Sequence, residues 1–406
     1  MTAALILKPG REASLLRRHP WVFSGAVGQV FGQPAPGETV TVRDAAGGFL
    51  AQGAYSPASQ IVARAWTFDE DEAVDAAFFR RRLEAAIRCR SGVATLAPTS
   101  PVQHSSFSIH RSLRLVHAES DGLPGLIVDK YADTLVLQSL TAGSEVWKPD
   151  IAAALMDLLA PTGIFERSDA PARAKEGLPP AVGPLAGTPP ERVEIEENGL
   201  VIAVDLRGGH KTGGYLDQRE NRQRVAEAAA GREVLDAFCY TGGFALAALQ
   251  GGARSALALD SAGDALAVLR ENAARNGFGP ERLQTLEADA FRQLRQFRDS
   301  RQSFDLIVLD PPKFAQSAAQ VDRAARAYKD INLLAFKLLR PGGLLFTFSC
   351  SGAVSPDLFQ KIVAGAALDA GVDAQILRRL SQPPDHPVAL AFPEGEYLKG
   401  LVCLRL

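Results

Sequence analysis

A cysteine stands between two serines, Ser349-Cys350-Ser351, directly after a run of apolar residues near the end of the chain. Cysteine is among the most often buried residue types, so this thiol could simply fill the core. It could also be a nucleophile, because a thiolate adds readily to an electron-poor carbon. Ser355-Pro356 predicts a helix start close by, which would increase the thiolate fraction. The surrounding residues must decide between packing and chemistry.

A second chemical candidate is Asp310, which opens the stretch Asp310-Pro311-Pro312-Lys313 after a predicted strand. Two prolines cannot continue a central strand, so they predict a rigid turn at its carboxyl end. Nucleotide-amine methyltransferases use a related turn, with an aromatic residue after the prolines, to hold an exocyclic amine. Lys313 occupies that aromatic position here, which disfavours N-methylation of a base.

A cofactor site is predicted where a strand containing Asp236 runs into the turn Gly242-Gly243 and then a helix. The next predicted strand ends at Asp260, where an acid can bind ribose hydroxyls. The sequence has neither G-x-G-x-x-G nor a P-loop at this turn, so a nucleoside without phosphates is favoured over NAD or ATP. This pattern is typical of S-adenosylmethionine (SAM) enzymes, and Asp289 after the third strand could meet the adenine amino group.

With SAM as methyl donor, Cys350 is favoured as a nucleophile. A methyltransferase that acts on a carbon, such as C5 of cytosine, needs a nucleophile of its own. That carbon is a poor nucleophile until a thiolate attacks C6, which makes C5 enamine-like and able to accept a methyl group. Cys239 is the competitor, but its neighbours Phe238 and Tyr240 indicate packing around the cofactor. The remaining cysteines have no plausible chemistry; they are Cys89 and Cys403.

From about residue 193 onward, apolar strand patterns alternate with helical patterns, which predicts a doubly wound, mostly parallel sheet. The strands are VLDAF, ALALD, FDLIVLD and GLLFTFS. Ligands of such α/β sheets bind outside the carboxyl ends of the strands. The candidate residues are therefore expected to meet at one edge of the sheet.

The sequence pattern predicts three domains. Residues 1–74 read as a small β domain, 75–187 as a central α/β domain with linkers, and 188–406 as the doubly wound domain. The acidic stretch from 69 is expected to begin a helix that ends near residue 90. Residues 91–108 are expected to form a loop, and the Pro/Gly-rich stretch 177–199 to be a boundary or an extended loop.

Composition bounds the class of protein. A chain of 406 residues implies two or three domains, and a net charge of −2 is not that of a typical nucleic-acid binder. Phosphate contacts would have to come from local basic clusters, Arg17-Arg18-His19 and Arg80-Arg81-Arg82. Four scattered cysteines and the lack of a secretory pattern favour a reducing, cytoplasmic location, without a structural zinc site.

Eight motifs occur in order along the chain: RRHPWVFSGAV, GAYSPASQI, AESDGLPGLIVDKY, KTGGYLDQR, DAFCYTGGFA, LDPPKFA, FSCSG and DHPVALAFPEGEYLKGL. In this order they resemble the bacterial 23S ribosomal RNA cytosine-C5 methyltransferases that carry an N-terminal PUA domain. The resemblance implies a small β-barrel PUA domain, a central α/β domain and a class I Rossmann-like methyltransferase domain. It also implies SAM as cofactor, 23S rRNA as substrate and a homodimer.

The resemblance implies roles for individual residues. Cys350 would be the nucleophile, and the C5-proton base is left open between Asp310 and an ordered water, because the second cysteine of many relatives is replaced by Pro311-Pro312-Lys313. The SAM site would comprise Gln218, Arg219, Asp236, Phe238, Tyr240, Thr241, Gly242, Asp260, Asp289, Ala290 and Asp310. RNA contacts are expected from Arg17, Arg18, Trp21 and Lys313, although Trp21 could equally pack in the core.

Two alternatives remain open on the sequence alone. The first is a guanine-N7 rRNA methyltransferase with the same kind of turn, which needs no thiol. The second is a non-catalytic RNA-binding assembly factor. A target base must be unstacked and flipped before chemistry, so naked rRNA or an early assembly intermediate is the expected substrate.

Overall fold

The computed structural model describes residues 3–93, 112–209 and 211–406. The chain divides into two compact units of discontinuous sequence. The first contains Met1–Ile195, Val204–Leu216 and Pro384–Gly395. The second contains Glu196–Ala203, Asp217–Pro383 and Glu396–Leu406. The three-domain division at 74/75 and 187/188 remains a prediction.

The first unit begins with a six-stranded sheet, which confirms the predicted small β domain. Its elements are β1 (Ala4–Leu7), α1 (Ala13–Leu16), β2 (Trp21–Phe23), β3 (Val27–Phe31), β4 (Thr39–Arg43), β5 (Phe49–Tyr55) and β6 (Ile61–Thr67). The strand order is β2-β6-β5-β4-β1-β3. Val40 and Val42 alternate with more exposed neighbours along β4, as expected for a strand with one face on the core.

The helix that follows, α2 (Ala76–Val93), begins later than the acidic stretch predicted. Asp75 Oδ1 accepts a hydrogen bond from the Phe78 backbone N–H at 2.8 Å, so Asp75 caps the helix. Residues 69–74 therefore precede the helix, because the cap and not the whole acidic run sets its first turn. Residues 91–93 extend the helix, and most of the loop expected at 91–108 lies outside the described residues.

A five-stranded sheet completes the regular structure of this part of the first unit. Its elements are β7 (Leu113–His117), β8 (Leu126–Tyr131), β9 (Thr134–Ser139), α3 (Ala142–Val146), α4 (Lys148–Leu159), β10 (Gly163–Ser168) and β11 (Ala181–Gly187). The order is β11-β10-β9-β8-β7. The predicted pairing of LIVDKY with TLVLQSL is confirmed, because β8 and β9 are antiparallel neighbours.

The stretch 177–199 is predicted to be a boundary or an extended loop. It contains the boundary between the two units, at Ile195/Glu196, whereas the prediction of an extended loop is wrong. This stretch contains β11 and then β12 (Arg192–Glu197), which forms a two-stranded sheet with β13 (Leu200–Asp205). Pro184 is tolerated in β11 because that strand lies at the edge of its sheet and pairs with β10 alone. The proline and glycine residues of this stretch are therefore compatible with a strand, because β11 lies at the edge of its sheet.

The second unit is built on a seven-stranded sheet. Its elements are α5 (Arg219–Ala228), β14 (Glu233–Ala237), α6 (Gly243–Gln250), β15 (Ser255–Asp260), α7 (Gly263–Arg275), β16 (Leu283–Glu287), α8 (Ala290–Asp299), β17 (Phe304–Leu309), α9 (Val321–Leu338), β18 (Leu339–Ser349), α10 (Pro356–Ala370), β19 (Ala374–Ser381) and β20 (Lys399–Arg405). The order is β16-β15-β14-β17-β18-β20-β19, and β20 runs antiparallel to both neighbours. The predicted doubly wound α/β fold is confirmed.

Helices cover both faces of this sheet, which explains why its central strands read as continuous apolar runs. In β17, Ile307 and Leu309 pack with residues of α8, α9 and α10, whereas Leu306 and Val308 pack with residues of α5, α6 and α7. The chain leaves β14 first towards β15 and later returns to its other side at β17. That reversal is the place where open α/β sheets bind ligands.

None of the helices described in either unit combines the length and the apolar character needed to cross a bilayer.

Candidate active site

The turn after β14 has an unusual backbone. Phe238 and Tyr240 have positive φ angles of 64° and 51°, and Gly242 follows at 72°. Positive φ is uncommon for aromatic residues and tends to occur at ligand sites. The turn is held by a hydrogen bond from the Gly242 N–H to the Cys239 carbonyl at 2.7 Å. At Gly242 any side chain would also collide with Leu269, so glycine is required there.

Asp260, at the end of β15, has a fixed carboxylate. Its Oδ2 accepts from the Tyr240 N–H at 2.8 Å, and its Oδ1 accepts from the Ala262 N–H at 3.0 Å. Each carboxylate oxygen can accept a further hydrogen bond, and the side chain is only partly buried. Asp260 is therefore a preorganised acceptor beside the glycine turn, as a ribose-binding acid requires.

Asp236 is fully buried behind the same turn. Its Oδ2 accepts from the Ala245 N–H at 2.9 Å, while its Oδ1 has no partner among the described residues. Burial raises the pKa of Asp236 to about 8, and the nearby Asp310 and Asp260 carboxylates add to the rise. A buried polar atom without a partner requires a water or a ligand group, which fits a cofactor pocket.

Asp289 and Ala290 follow β16, the strand next to β15. The Ala288 N–H donates to the Asp260 carbonyl at 2.9 Å, which brings this segment beside the ribose-binding candidate. Asp289 is exposed, and its Oδ1 caps α8 by accepting from the Arg292 N–H at 2.8 Å. The cap explains this acid structurally, and its contact with adenine stays a prediction.

Gln218 and Arg219 lie at the start of α5. Gln218 is buried, and its Oε1 accepts from Asn221 Nδ2 at 2.6 Å. Arg219 is partly buried as the first residue of the helix. The preceding residue, Asp217, accepts a hydrogen bond from the Tyr397 hydroxyl at 2.7 Å, a contact between residues 180 positions apart that no local pattern predicts.

Asp310 follows β17, so the Asp-Pro-Pro turn lies at the carboxyl edge of the sheet as predicted. The Asp310 N–H points to the Ala237 carbonyl of β14 at 3.5 Å. Further along the turn, the Ala315 N–H donates to Ser351 Oγ at 3.1 Å. The turn therefore joins the cofactor strand to the segment that carries Cys350.

The two serines around Cys350 share one partner. Ser349 Oγ donates to the Tyr328 hydroxyl at 2.9 Å, and Ser351 Oγ lies 3.0 Å from the same hydroxyl. Both serines and Tyr328 are fully buried, whereas Cys350 is half-buried and is the first residue after β18. The hydroxyls thus fix the backbone on both sides of a thiol that keeps some exposure.

Lys399 is a residue of this site that sequence reasoning missed. Its Nζ donates to the carbonyls of Ser351 and Val354, each at 2.7 Å, and the residue is 8% exposed. Burial lowers the pKa of Lys399 to about 8, Cys350 and Glu396 act to raise it, and Lys313 acts to lower it. Only the pairing of β20 with β18 brings Lys399 to Cys350, so no local sequence signal marks it.

The other cysteines have different environments. Cys239 is buried, and burial raises the pKa of its thiol, an effect to which Asp236 and Asp260 add. Burial raises the pKa of Cys403 to about 12. Cys89 is exposed on α2 of the first unit. Cys350 is thus the cysteine with both partial exposure and a place at the carboxyl edge.

The RNA-binding candidates differ in their surroundings. Arg17 is exposed, and the Arg18 guanidinium stacks 5.1 Å from the centre of the Phe68 ring. Trp21 Nε1 donates to Glu119 at 2.8 Å, and its ring lies 4.9 Å from that of Phe392. These contacts are those expected if Trp21 packs within its unit.

In the second unit, Lys313 is exposed in the Asp-Pro-Pro turn. The second basic cluster of the sequence, Arg80-Arg81-Arg82, lies on α2 of the first unit, and its charges are paired with acids. Arg80 pairs with Glu84 and Asp157, and the other two arginines pair with Glu72. Contact of Arg17, Arg18, Trp21 and Lys313 with RNA stays a prediction.

Fold and site together define a SAM-dependent methyltransferase. Residues 177–399 match the family profile described as S-adenosylmethionine-dependent methyltransferase, and residues 5–68 match that of a PUA-like domain. The sheet order, the glycine turn after β14 and Asp260 at the end of β15 agree with this class. The predicted cofactor, SAM, and the PUA-like domain are thereby confirmed.

Full-length relatives narrow the class to one family. The chain is 52% identical to the ribosomal RNA large subunit methyltransferase I of Aeromonas hydrophila subsp. hydrophila, and 51% identical to that of Shewanella amazonensis, with 99% of each chain covered in both comparisons. The chain belongs to the ribosomal RNA large subunit methyltransferase I family.

Solved structures agree with the fold. A candidate SAM-dependent methyltransferase from Streptococcus mutans superposes with a TM-score of 0.83 at 22% identity, over 99% of both chains. A candidate methyltransferase in complex with SAH gives a TM-score of 0.83 at 21% identity, again over 99% of both chains.

Proposed function

We propose that this protein methylates a cytosine at C5 in 23S rRNA, with SAM as donor and Cys350 as the nucleophile. The observation that carries the proposal is the placement of Cys350: a half-buried thiol at the carboxyl edge, held between two serines that bind one buried tyrosine. A methyltransferase acting on a nucleophilic nitrogen has no need of such a thiol. The names of the relatives support large-subunit rRNA as the substrate.

The proposed reaction begins with attack of the Cys350 thiolate on C6 of the cytosine, which forms an S–C6 bond and makes C5 electron-rich. C5 then accepts the electrophilic methyl group that bound SAM would supply, with the sulfonium S–CH₃ bond breaking and S-adenosylhomocysteine as the leaving group. A base then takes the proton from C5, and the electrons of that C–H bond restore the C5–C6 double bond as the thiolate leaves. Asp310 is the proposed base, because it follows β17, next to the strand that precedes Cys350.

RNA is proposed to be held by exposed or partly exposed basic groups, including Arg17, Arg18 and Lys313. The target cytosine must leave its stack to reach a thiol at a sheet edge, at a cost of a few kcal/mol. Naked 23S rRNA or an early assembly intermediate is therefore the proposed substrate. Equal methylation rates on naked rRNA and on mature subunits would contradict this part of the proposal.

The test is methyl transfer from labelled SAM to unmodified 23S rRNA, with the product nucleoside identified by mass. Wild type and the control Cys239→Ala are expected to form 5-methylcytidine, whereas Cys350→Ala is expected to be inactive while still binding S-adenosylhomocysteine. A methylguanosine product would support the guanine-N7 alternative. Cofactor binding without any transfer by the wild type would support a non-catalytic assembly factor.

A covalent-trapping experiment tests the adduct itself. Replacement of cytidine by 5-fluorocytidine removes the C5 proton, so the reaction should stop at the S–C6 adduct after methyl transfer. Wild type is expected to form a complex with such RNA that survives denaturation, and Cys350→Ala is not. A complex that forms equally with Cys350→Ala would assign the nucleophile elsewhere.

A further inference from the structure

Lys399 is a buried cation that holds the backbone next to Cys350. It is the first residue of β20 and lies opposite Ser349, the last residue of β18. From there its Nζ donates to the carbonyls of Ser351 and Val354 at 2.7 Å each. These two bonds close the loop from residue 350 to residue 354, so the ammonium group fixes the segment that begins with the thiol.

The charge of Lys399 acts on the thiol as well as on the loop. The charged or titratable groups that interact with it are Cys350, Glu396 and Lys313, and Tyr328 of α9 interacts with the same thiol. Two carbonyl acceptors favour the protonated amine, which opposes the effect of burial on its pKa. A cation in such a poorly solvated place attracts a nearby thiolate more strongly than it would in water.

We propose that Lys399 is a positioning residue that both orders the Cys350 loop and increases the thiolate fraction of Cys350 at neutral pH. This inference rests on the proposed function, in which Cys350 is the nucleophile. In this proposal, β20 supplies the cation that stabilises the thiolate, from a position 49 residues after the cysteine in the chain (399 − 350). Neither the serines nor Tyr328 can supply that charge, since their hydroxyl groups are neutral.

The thiolate fraction can be measured without RNA. The experiment follows the alkylation rate of Cys350 by iodoacetamide against pH, in the full chain carrying Cys89→Ser to remove the exposed cysteine. Peptide mass mapping separates Cys350 from the two buried cysteines. Lys399→Met removes the charge and the hydrogen bonds, Lys399→Gln removes the charge but keeps an N–H donor, and Lys399→Arg keeps the charge.

The midpoint of the alkylation profile is expected to rise by about one pH unit in Lys399→Met and Lys399→Gln, which is about a tenfold loss of thiolate at neutral pH. Lys399→Arg is expected to remain closer to wild type than either. S-adenosylhomocysteine binding by calorimetry checks that each variant is folded. A midpoint that is unchanged in both neutral variants would overturn the inference. Lys399 would then only hold the loop through its hydrogen bonds to the Ser351 and Val354 carbonyls.

Failure of this inference is distinguishable from failure of the proposed function. If Cys350→Ala makes no 5-methylcytidine and the neutral variants alkylate with the wild-type profile, Cys350 is the nucleophile and Lys399 does not activate it. If Cys350→Ala keeps the wild-type rate, the nucleophile assignment itself is wrong. In methyl transfer, the neutral variants are expected to lose kcat at pH 7 and recover most of it at higher pH, with KM for SAM unchanged.

Discussion

Ser349 Oγ donates a hydrogen bond to the buried hydroxyl of Tyr328 at 2.9 Å, and Ser351 Oγ lies 3.0 Å from the same atom. A single side chain of α9 thus fixes the residues on both sides of Cys350. A nucleophile must be held within a fraction of an ångström of its attack geometry, because small misplacements cost large factors in rate. If Cys350 is the nucleophile, as proposed, Tyr328 acts on the reaction through the loop that it holds.

Removal of this hydroxyl should lower turnover more than it lowers cofactor binding. Tyr328→Phe leaves both serine hydroxyls without their shared partner, so we expect a tenfold or larger fall in single-turnover rate, and a cost of about 1–3 kcal/mol in the free energy of unfolding. Quenched single-turnover reactions with 23S rRNA measure the rate, and urea unfolding measures the free energy of unfolding. Ser349→Ala should give a smaller loss, because Ser351 keeps its partner, and an unchanged rate in Tyr328→Phe would contradict the positioning role.

Asp260 should control cofactor affinity. Its two oxygens accept N–H bonds from Tyr240 and Ala262, so Asp260→Asn would turn an NH₂ group towards one of these donors. We expect the dissociation constant for S-adenosylhomocysteine to rise by about 10- to 100-fold, measured by calorimetry. Asp264→Asn, an exposed acid in the first turn of α7, is the matched control and should bind normally. If Asp260→Asn binds S-adenosylhomocysteine as tightly as the wild type, Asp260 does not bind the ribose.

The sequence predicted the parts of this site that are encoded locally. The strands of the doubly wound sheet are apolar runs with helices after them, and Ser355 caps α10 as expected, accepting from the Leu358 N–H at 3.2 Å. Tyr328 and Lys399 could not be found in this way. Their roles depend on contacts with residues 21 to 48 positions away in the chain, which only the packed sheet and helices create.

Two predictions of local structure are wrong because tertiary context overrides the sequence pattern: the extended loop at 177–199 and the early start of α2. The Pro/Gly-rich stretch 177–199 reads as a loop because its composition lowers strand propensity. An edge strand needs hydrogen bonds on one side only, which lets Pro184 lie in β11. Similarly, the acidic run from 69 suggests an early helix start, and the Asp75 cap places it at Ala76.

Asp236 should make stability depend on pH. Its pKa in the folded protein is raised from 3.8 to about 8, so the folded state keeps a proton that the unfolded chain releases within that range. Stability contributed by this proton is therefore lost as pH rises from about 4 towards 8. Asn cannot ionise, so the free energy of unfolding of Asp236→Asn should rise by about 3 kcal/mol relative to that of the wild type between pH 5 and pH 7.5.

Urea unfolding at the two pH values measures this difference, and Asp264→Asn again serves as the control. The Asn carbonyl can still accept from the Ala245 N–H, so the variant is expected to fold. A difference between variant and wild type that does not change with pH would show that the carboxyl group is ionised throughout this range.

Arg17 should contribute to RNA binding through its charge alone. It is exposed in the Arg17-Arg18-His19 cluster, so Arg17→Ala should weaken binding of unmodified 23S rRNA fragments by about three- to tenfold at low salt. The effect should shrink as salt rises, because a phosphate contact acts by releasing counterions. Filter binding over a salt series measures both the affinity and its slope.

Arg80→Ala is the matched control for this experiment, because Arg80 already pairs with Glu84 and Asp157 and has little charge left to offer a phosphate. We expect its affinity and salt slope to equal those of the wild type. If Arg80→Ala and Arg17→Ala weaken binding equally, the effect reflects net charge and not a contact at the N-terminal cluster. If only Arg17→Ala reduces the salt slope, by about one phosphate contact, the first unit binds RNA through that cluster.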